Sequence, residues 1–234
     1  MATLSDILDE IKDVIDDDAA YPQPALIKRV NRALQAIAGG VRLPNRGDIT
    51  PPLPDLYEID TKDTVADQAW LELPSAYQRG LDHVSGASTW GVRAPRGGNF
   101  YSFALFMDRV SDKKLQEVGS VYLACVRGRR LYYQGIPSSP ETLTLGFYRM
   151  PAVLDALTDK PEGLPGHMAL PLLKHWVCAD IFGDGIEDGE NSSGTGMQFH
   201  RAQFQLYAEE LFSFFPIDVK PFNVPGDEDV QTRR

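Results

Sequence analysis

The side chains that could carry chemistry are few in this 234-residue chain. The histidines are His83, His167, His175 and His200. No pair lies four apart, and neither H-E-x-x-H nor H-x-H occurs, so the helical zinc-binding pattern is missing. His175 stands beside Trp176 and reads as a helix-surface or partner-packed imidazole rather than a ligand. Cys125 and Cys178 sit in the apolar contexts "YLACV" and "WVCAD", which suit buried free thiols. Two such residues make neither a disulfide framework nor a C-x-x-C site.

The acidic and glycine-rich stretches fail as sites for specific reasons. "DGIEDG" would place Asp184, Ile186 and Asp188 at the first, third and fifth positions of a calcium loop. Ile186 supplies no oxygen, and Thr195 falls where a bidentate glutamate is required. "RAPRGGN" is glycine-rich and basic, but it lacks the G-K-[ST] that reaches phosphate and magnesium. No G-x-S-x-G elbow occurs. The pairs Glu187–Asp188 and Glu209–Glu210 lie in exposed patterns, without the burial that tunes a carboxyl for acid–base work. The expectation is therefore no catalytic residue, no metal and no cofactor, and a protein that is not an enzyme.

Composition bounds the alternatives. Hydrophobic residues make up 43% and charged residues 24%, ordinary for a globular chain able to bury a core without staples. The net charge of −10 disfavours a nucleic-acid grip, which needs clustered Lys and Arg, but is compatible with a surface that DNA passes without sticking. The opening "MATLSDILDEIKD" has acids where a signal peptide would be basic and apolar. No apolar run approaches ~18 residues. The chain is expected to be made in the cytosol and not inserted in a membrane.

The elements follow from periodicity. Leu4, Leu8, Ile11 and Ile15, widened by Ile7 and Val14, mark an amphipathic helix capped by Thr3 or Ser5. Its other face is acidic, with Asp6, Asp9, Glu10 and Asp13 followed by residues 16–18. Leu26, Val30, Ala33, Leu34 and Ile37 mark a second helix, stopped at Gly39-Gly40. Residues 42–67 read as loop. "WLELP" reads as a short strand, and Tyr77, Leu81 and Val84 as the start of a third helix; residues 100–110 suggest a fourth. "VGSVYLACV" and "RLYYQGIP" form a hairpin turning near Gly128, and "ETLTLGFYR" adds a third strand to the same small sheet. Helices over about 166–182 and 196–215 follow, joined by an acidic Gly/Ser-rich connector. Residues 216–234 carry three prolines and no helical pattern, hence an extended tail.

This order predicts an α+β fold: a helical bundle built from N- and C-terminal helices, with an inserted small antiparallel β-sheet module. In outline, one domain covers 1–215, with helices over about 3–38, 75–110 and 166–215 and the β-module over 118–151. An extended tail covers 216–234.

Four stretches together resemble tailed-bacteriophage head-to-tail connector adaptor proteins, across most of residues 20–215. "ALIKRVNRALQAIA" is similar to the family's opening helix with a central Asn-x-Ala. "WLELPSAYQR" resembles its Leu-Pro before a helix. "LYYQGIPSSPETLTLGFYRMPAVL" resembles its hairpin, and "LPGHMALPLLKHWVCADIF" the Leu-Pro and helix that follow. The resemblance implies a non-enzymatic virion protein of the neck, assembled in the host cytoplasm. It implies a homo-oligomeric ring, usually twelve-fold, under the portal protein. The ring extends the DNA channel and offers a platform to the next tail or nozzle protein, and double-stranded DNA passes through without sequence-specific binding. Residues 42–67 have no counterpart in it. The alternatives are another neck or tail protein, such as a stopper or tail-tube component, and more remotely a hydrolase using dispersed carboxylates.

Three candidate surfaces result. Pro216, Ile217, Val219, Pro221, Phe222 and Val224 form a candidate portal-docking tail, as family C-termini often reach along the portal. Arg127, Arg129 and Arg130 form a hairpin tip that could meet an acidic partner, although a solvated tip is the plainer reading. Asp6, Asp9 and Asp13 form a candidate acidic channel face, against the plainer reading of an outward solvated one.

Overall fold

The computed structural model describes residues 2–15, 21–42, 50, 52–86, 92–93, 106, 118–121, 123–183 and 193–215. The architecture is α+β. Among the described residues there are four helices and seven strands, the strands in two small antiparallel sheets. The described residues divide into two compact units, one built from those before Tyr57 and those after Arg149, the other from Tyr57–Arg149.

The first unit is helical. Helix α1 spans Leu4–Lys12 and α2 spans Gln23–Gly39. Helix α3 spans Ala169–Gly183 and α4 spans Ser193–Phe214. A helix as short as α1 is marginal alone, so its ends and its packing must hold it. Thr3, not Ser5, is the cap: its hydroxyl accepts from the Asp6 N–H while the Asp6 carboxylate accepts from the Thr3 N–H, a reciprocal box. The two preceding orphan donors find loop carbonyls, Leu4 N–H donating to Asp159 at 2.7 Å and Ser5 N–H to Leu157 at 3.0 Å. Leu4, Ile7, Leu8 and Ile11 are then buried with Leu26, Val30 and Leu34 of α2, Leu172, Leu173 and Val177 of α3 and Phe204, Ala208 and Leu211 of α4. Ion pairs join α2 to α3 through Arg29 and Asp180, and α1 to α3 through Glu10 and Lys174.

The second unit holds the sheets. Strand β1 is Tyr57–Asp63, β2 Trp70–Glu72, β3 Tyr77–Gly86 and β4 Val92–Arg93. Strand β5 is Leu123–Arg127, β6 Arg130–Gln134 and β7 Thr142–Arg149. One sheet has the order β1-β7-β3-β4, the other β2-β6-β5. Leu81, Val84, Leu143, Leu145 and Phe147 of the first share one apolar core with Leu71, Ala124, Leu131 and Tyr133 of the second.

Three expectations are corrected here. The helix expected over residues 75–110 begins instead as β3. Leu81 and Val84 lie three apart, which mimics a helical face, yet both are buried in a strand. Bulges reconcile the two: the register shifts between Tyr77 and Arg79 and again between Arg79 and His83, where four residues of β3 span two of β7. Gly80, at φ +67°, supplies the backbone freedom that such an irregularity uses. Of the fourth expected helix, only Phe106 lies among the described residues, helical and buried.

Residues 42–67, read as loop, contain β1. As an edge strand it has little to bury, so it shows no apolar alternation. Finally, the hairpin and the strand after it do not form one sheet. β6 pairs with β5 and β2, whereas β7 pairs with β1 and β3. Trp70 and Leu71 face Tyr132 and Leu131 in register, a long-range pairing that local periodicity does not encode.

Candidate functional site

The hairpin tip is the first candidate surface. β5 and β6 are joined by a two-residue turn, Gly128-Arg129. Gly128 has φ +61° at the first central position, the placement a type II′ hairpin turn requires. The three arginines do not project as a free cationic cluster. The Arg129 guanidinium donates to the carbonyls of Pro74 at 2.9 Å and Ser75 at 3.1 Å. The Arg129 carbonyl accepts from Leu73 N–H at 2.9 Å. Arg130 lies over the Trp70 ring at 4.1 Å, a cation–π contact. These contacts seat the tip on the β2–β3 connection. Arg127, paired in register with Arg130, is exposed.

The acidic face is the second. Asp6, Asp9 and Asp13 are all exposed on one side of α1 and its C-cap. They are not equivalent. Asp6 belongs to the capping box, and the hydrogen bonds from the Thr3 backbone and hydroxyl hold its carboxyl below the ordinary value. Glu10, on the same helix, is engaged with Lys174. Residues 16–18 lie outside the described residues, as do the connector 184–190 and all six candidate docking residues of the tail, Pro216, Ile217, Val219, Pro221, Phe222 and Val224.

Two polar constellations were not assembled by sequence reasoning. The first is Asn31, the central asparagine of "VNRA" in α2. Its amide donates to Leu154 O at 2.8 Å and to Ile27 O at 3.0 Å, and its oxygen accepts from Leu154 N–H at 2.8 Å. One side chain thus pairs with both backbone groups of a residue in the segment between β7 and α3. The second is a histidine pair between α3 and α4, with Nδ1 of His175 2.8 Å from Nδ1 of His200. A signal for it existed: His200 stands four residues before Phe204 and so extends the buried stripe Phe204, Ala208, Leu211. His175 lies three after Leu172 and three before Cys178, both buried.

A cleft of about 250 Å³ opens beside the histidine-bearing helices, lined by Val41, Arg42, Trp176, Ala179, Asp180, Arg201, Phe204 and Gln205. Its carboxylate, Asp180, is held by Arg29. Neither cysteine is in a disulfide and both are buried, and burial pushes the Cys125 thiol up to about 12, far from a nucleophile's range. Among the described residues, no group of three or more His, Cys, Asp and Glu could hold a metal, and no helix is long and apolar enough to cross a membrane. Chemically, the arrangement offers contacts: hydrogen-bonded clamps, ion pairs and exposed charge. In comparison with known proteins, no curated protein matches the chain. One family model does, described as SU10 adaptor protein, over residues 2–219.

Proposed function

The chain belongs to the SU10 adaptor protein family, and from that premise we propose that this phage structural protein forms a ring between portal and tail. The match over nearly the whole chain carries the reading. In this reading the ring, a dodecamer, extends the DNA channel and receives the next tail component. A closed ring needs two different surfaces on each copy. The helical unit and the two-sheet unit, each with its own core, are a suitable source of them. No cofactor takes part, and the contacts are with other copies of the chain, the portal protein, a downstream tail or nozzle protein and passing DNA.

The test is electron microscopy of the purified chain mixed with purified portal. Rings of this chain seated on portal are the expected result. Rings that form on tail tubes and never bind portal would instead identify a stopper or tail-tube component, and a chain that stays monomeric beside portal would overturn the ring. A second arm removes residues 216–234. The truncated chain is expected to keep its circular dichroism spectrum and melting profile but to lose portal binding. Undiminished binding would refute tail docking alone and leave the ring reading standing.

For the acidic face, the proposal is a channel lining that repels DNA, which carries about one charge per 1.7 Å of axis. Asp9→Lys with Asp13→Lys tests it without disturbing the cap that Asp6 makes. The double variant should slow genome ejection several-fold at low salt, with the difference shrinking as salt screens it. Ejection at the native rate would place the face toward solvent.

A further inference from the structure

We propose that His175 and His200 form an acid-sensitive clasp, which holds α4 against α3 while the pair shares one proton between its facing nitrogens and loosens it when both rings are charged. This inference is independent of the adaptor reading.

The geometry supplies the reason. Two Nδ1 atoms at 2.8 Å form a hydrogen bond in only one way: one ring donates from Nδ1–H and the other accepts on a bare Nδ1. The two neutral rings must therefore hold complementary tautomers. A first added proton is tolerated, because the imidazolium still donates to its neutral neighbour. A second places an N–H on both facing nitrogens and two like charges within contact. No acceptor then remains between the rings, and the bond becomes a repulsion.

The surroundings disfavour charge as well. His200 is 5% exposed. Phe182 stacks on His200 with centroids 5.4 Å apart, and Tyr207 stacks on His175 at 5.8 Å. Phe199 meets both rings edge-on. Among the described residues, the charged and titratable groups around the pair come from four helices. α3 brings Lys174, whose like charge acts on both rings, and α4 brings Tyr207. From α1, Glu10 is engaged with Lys174 rather than with either imidazole. From α2, Arg29 is engaged with Asp180. Burial first, then the neighbouring charges, pulls His175 down to about 4, and burial with Lys174 lowers His200.

The sign follows from linkage. In the unfolded chain both imidazoles take protons at the ordinary value of 6.5, while the folded pair resists them. The unfolded state therefore binds more protons as pH falls below 6.5. The pair's stabilisation is complete above that pH and is lost on descending through the window toward 4. Each histidine can contribute up to about tenfold in the folding equilibrium per pH unit.

The experiment uses the full chain. Urea unfolding is followed at pH 6.5 and pH 4.5 for the native protein, His175→Gln and His200→Gln. The native folding constant should fall on the order of thirtyfold more than that of either variant, since carboxylates contribute equally to all three. Nitrogen-resolved NMR of the native imidazoles supplies a readout that needs no variant to fold. It should show one Nδ1–H and one Nε2–H ring at pH 7.5, with both titrating below the ordinary value. Equal pH slopes in the three proteins, two rings of the same tautomer, or titration of both at about 6.5 would each overturn the clasp.

Discussion

Phe147→Ala is expected to destabilise the two-sheet unit by about 3–5 kcal/mol, enough to unfold it under conditions where the helical unit survives. Phe147 has no exposed surface, lies on the central strand pair β7–β3 and meets the Tyr77 ring at 5.8 Å. Truncation removes most of an aromatic side chain from a core shared by two small sheets. Tyr148, one residue on, points to the other side, where it meets Tyr57 edge-on at 5.2 Å. Tyr148→Ala should cost about 1 kcal/mol, the scale of a cross-strand pair. Hydrogen exchange read separately at β7 and α3 amides would measure both. Near-equal losses at β7 for the two variants would mean that the register of this strand is wrong.

That contrast depends on alternation, and alternation explains which elements were legible. "TLTLGFYR" buries every second residue through Leu143, Leu145 and Phe147, so it reads as a strand from the chain alone. The four helices were legible for the same reason at period 3.6, with Ser193–Phe214 beginning three residues before the expected start at about residue 196. β3 was not legible, because its bulges put Leu81 and Val84 on one side at a spacing that belongs to helices. β1 was not legible because an edge strand has no buried row to betray it. In β1, moreover, Glu58, Asp60 and Lys62 pair with Phe147, Leu145 and Leu143, so charge points to the side on which its neighbour buries apolar groups. Inward charge on an edge strand blocks further pairing and erases the sequence signal together.

The candidate surfaces divide along a similar line. Which residues are charged and exposed was readable: Asp6, Asp9, Asp13 and the three arginines are all at the surface. What each charge already does was not, because the partners are distant. Arg129 is 55 residues from the Pro74 carbonyl it binds, and His175 is 25 from His200. Only Asp6 has its partner, Thr3, within the span that a capping pattern reveals.

Asn31→Ala is expected to destabilise the helical unit by about 3 kcal/mol, a cost larger than the side chain's size suggests. The deletion removes three hydrogen bonds, two of them to Leu154. Leu154 is 2% exposed, so water does not readily replace the lost partners of its N–H and C=O. The consequence extends along the segment. Leu157 and Asp159 of the same loop cap the N-terminus of α1, and Gly163, at φ +80°, packs closely on Leu53 and Leu56: a Cβ there would lie 3.0 Å from Leu56, which would have to give way. Freeing Leu154 therefore loosens the connection that terminates α1 as well as the clamp itself. Asn31→Asp separates the contributions, since it keeps the acceptor for Leu154 N–H and loses the donor to Leu154 and Ile27. It should fall between native and alanine at neutral pH. Chemical denaturation, with exchange at the Leu4 and Ser5 amides as the local probe, reads both effects. If alanine costs less than about 1 kcal/mol and those amides remain protected, then Asn31 is a surface residue that happens to touch the loop, and the helical unit is held by its apolar core alone.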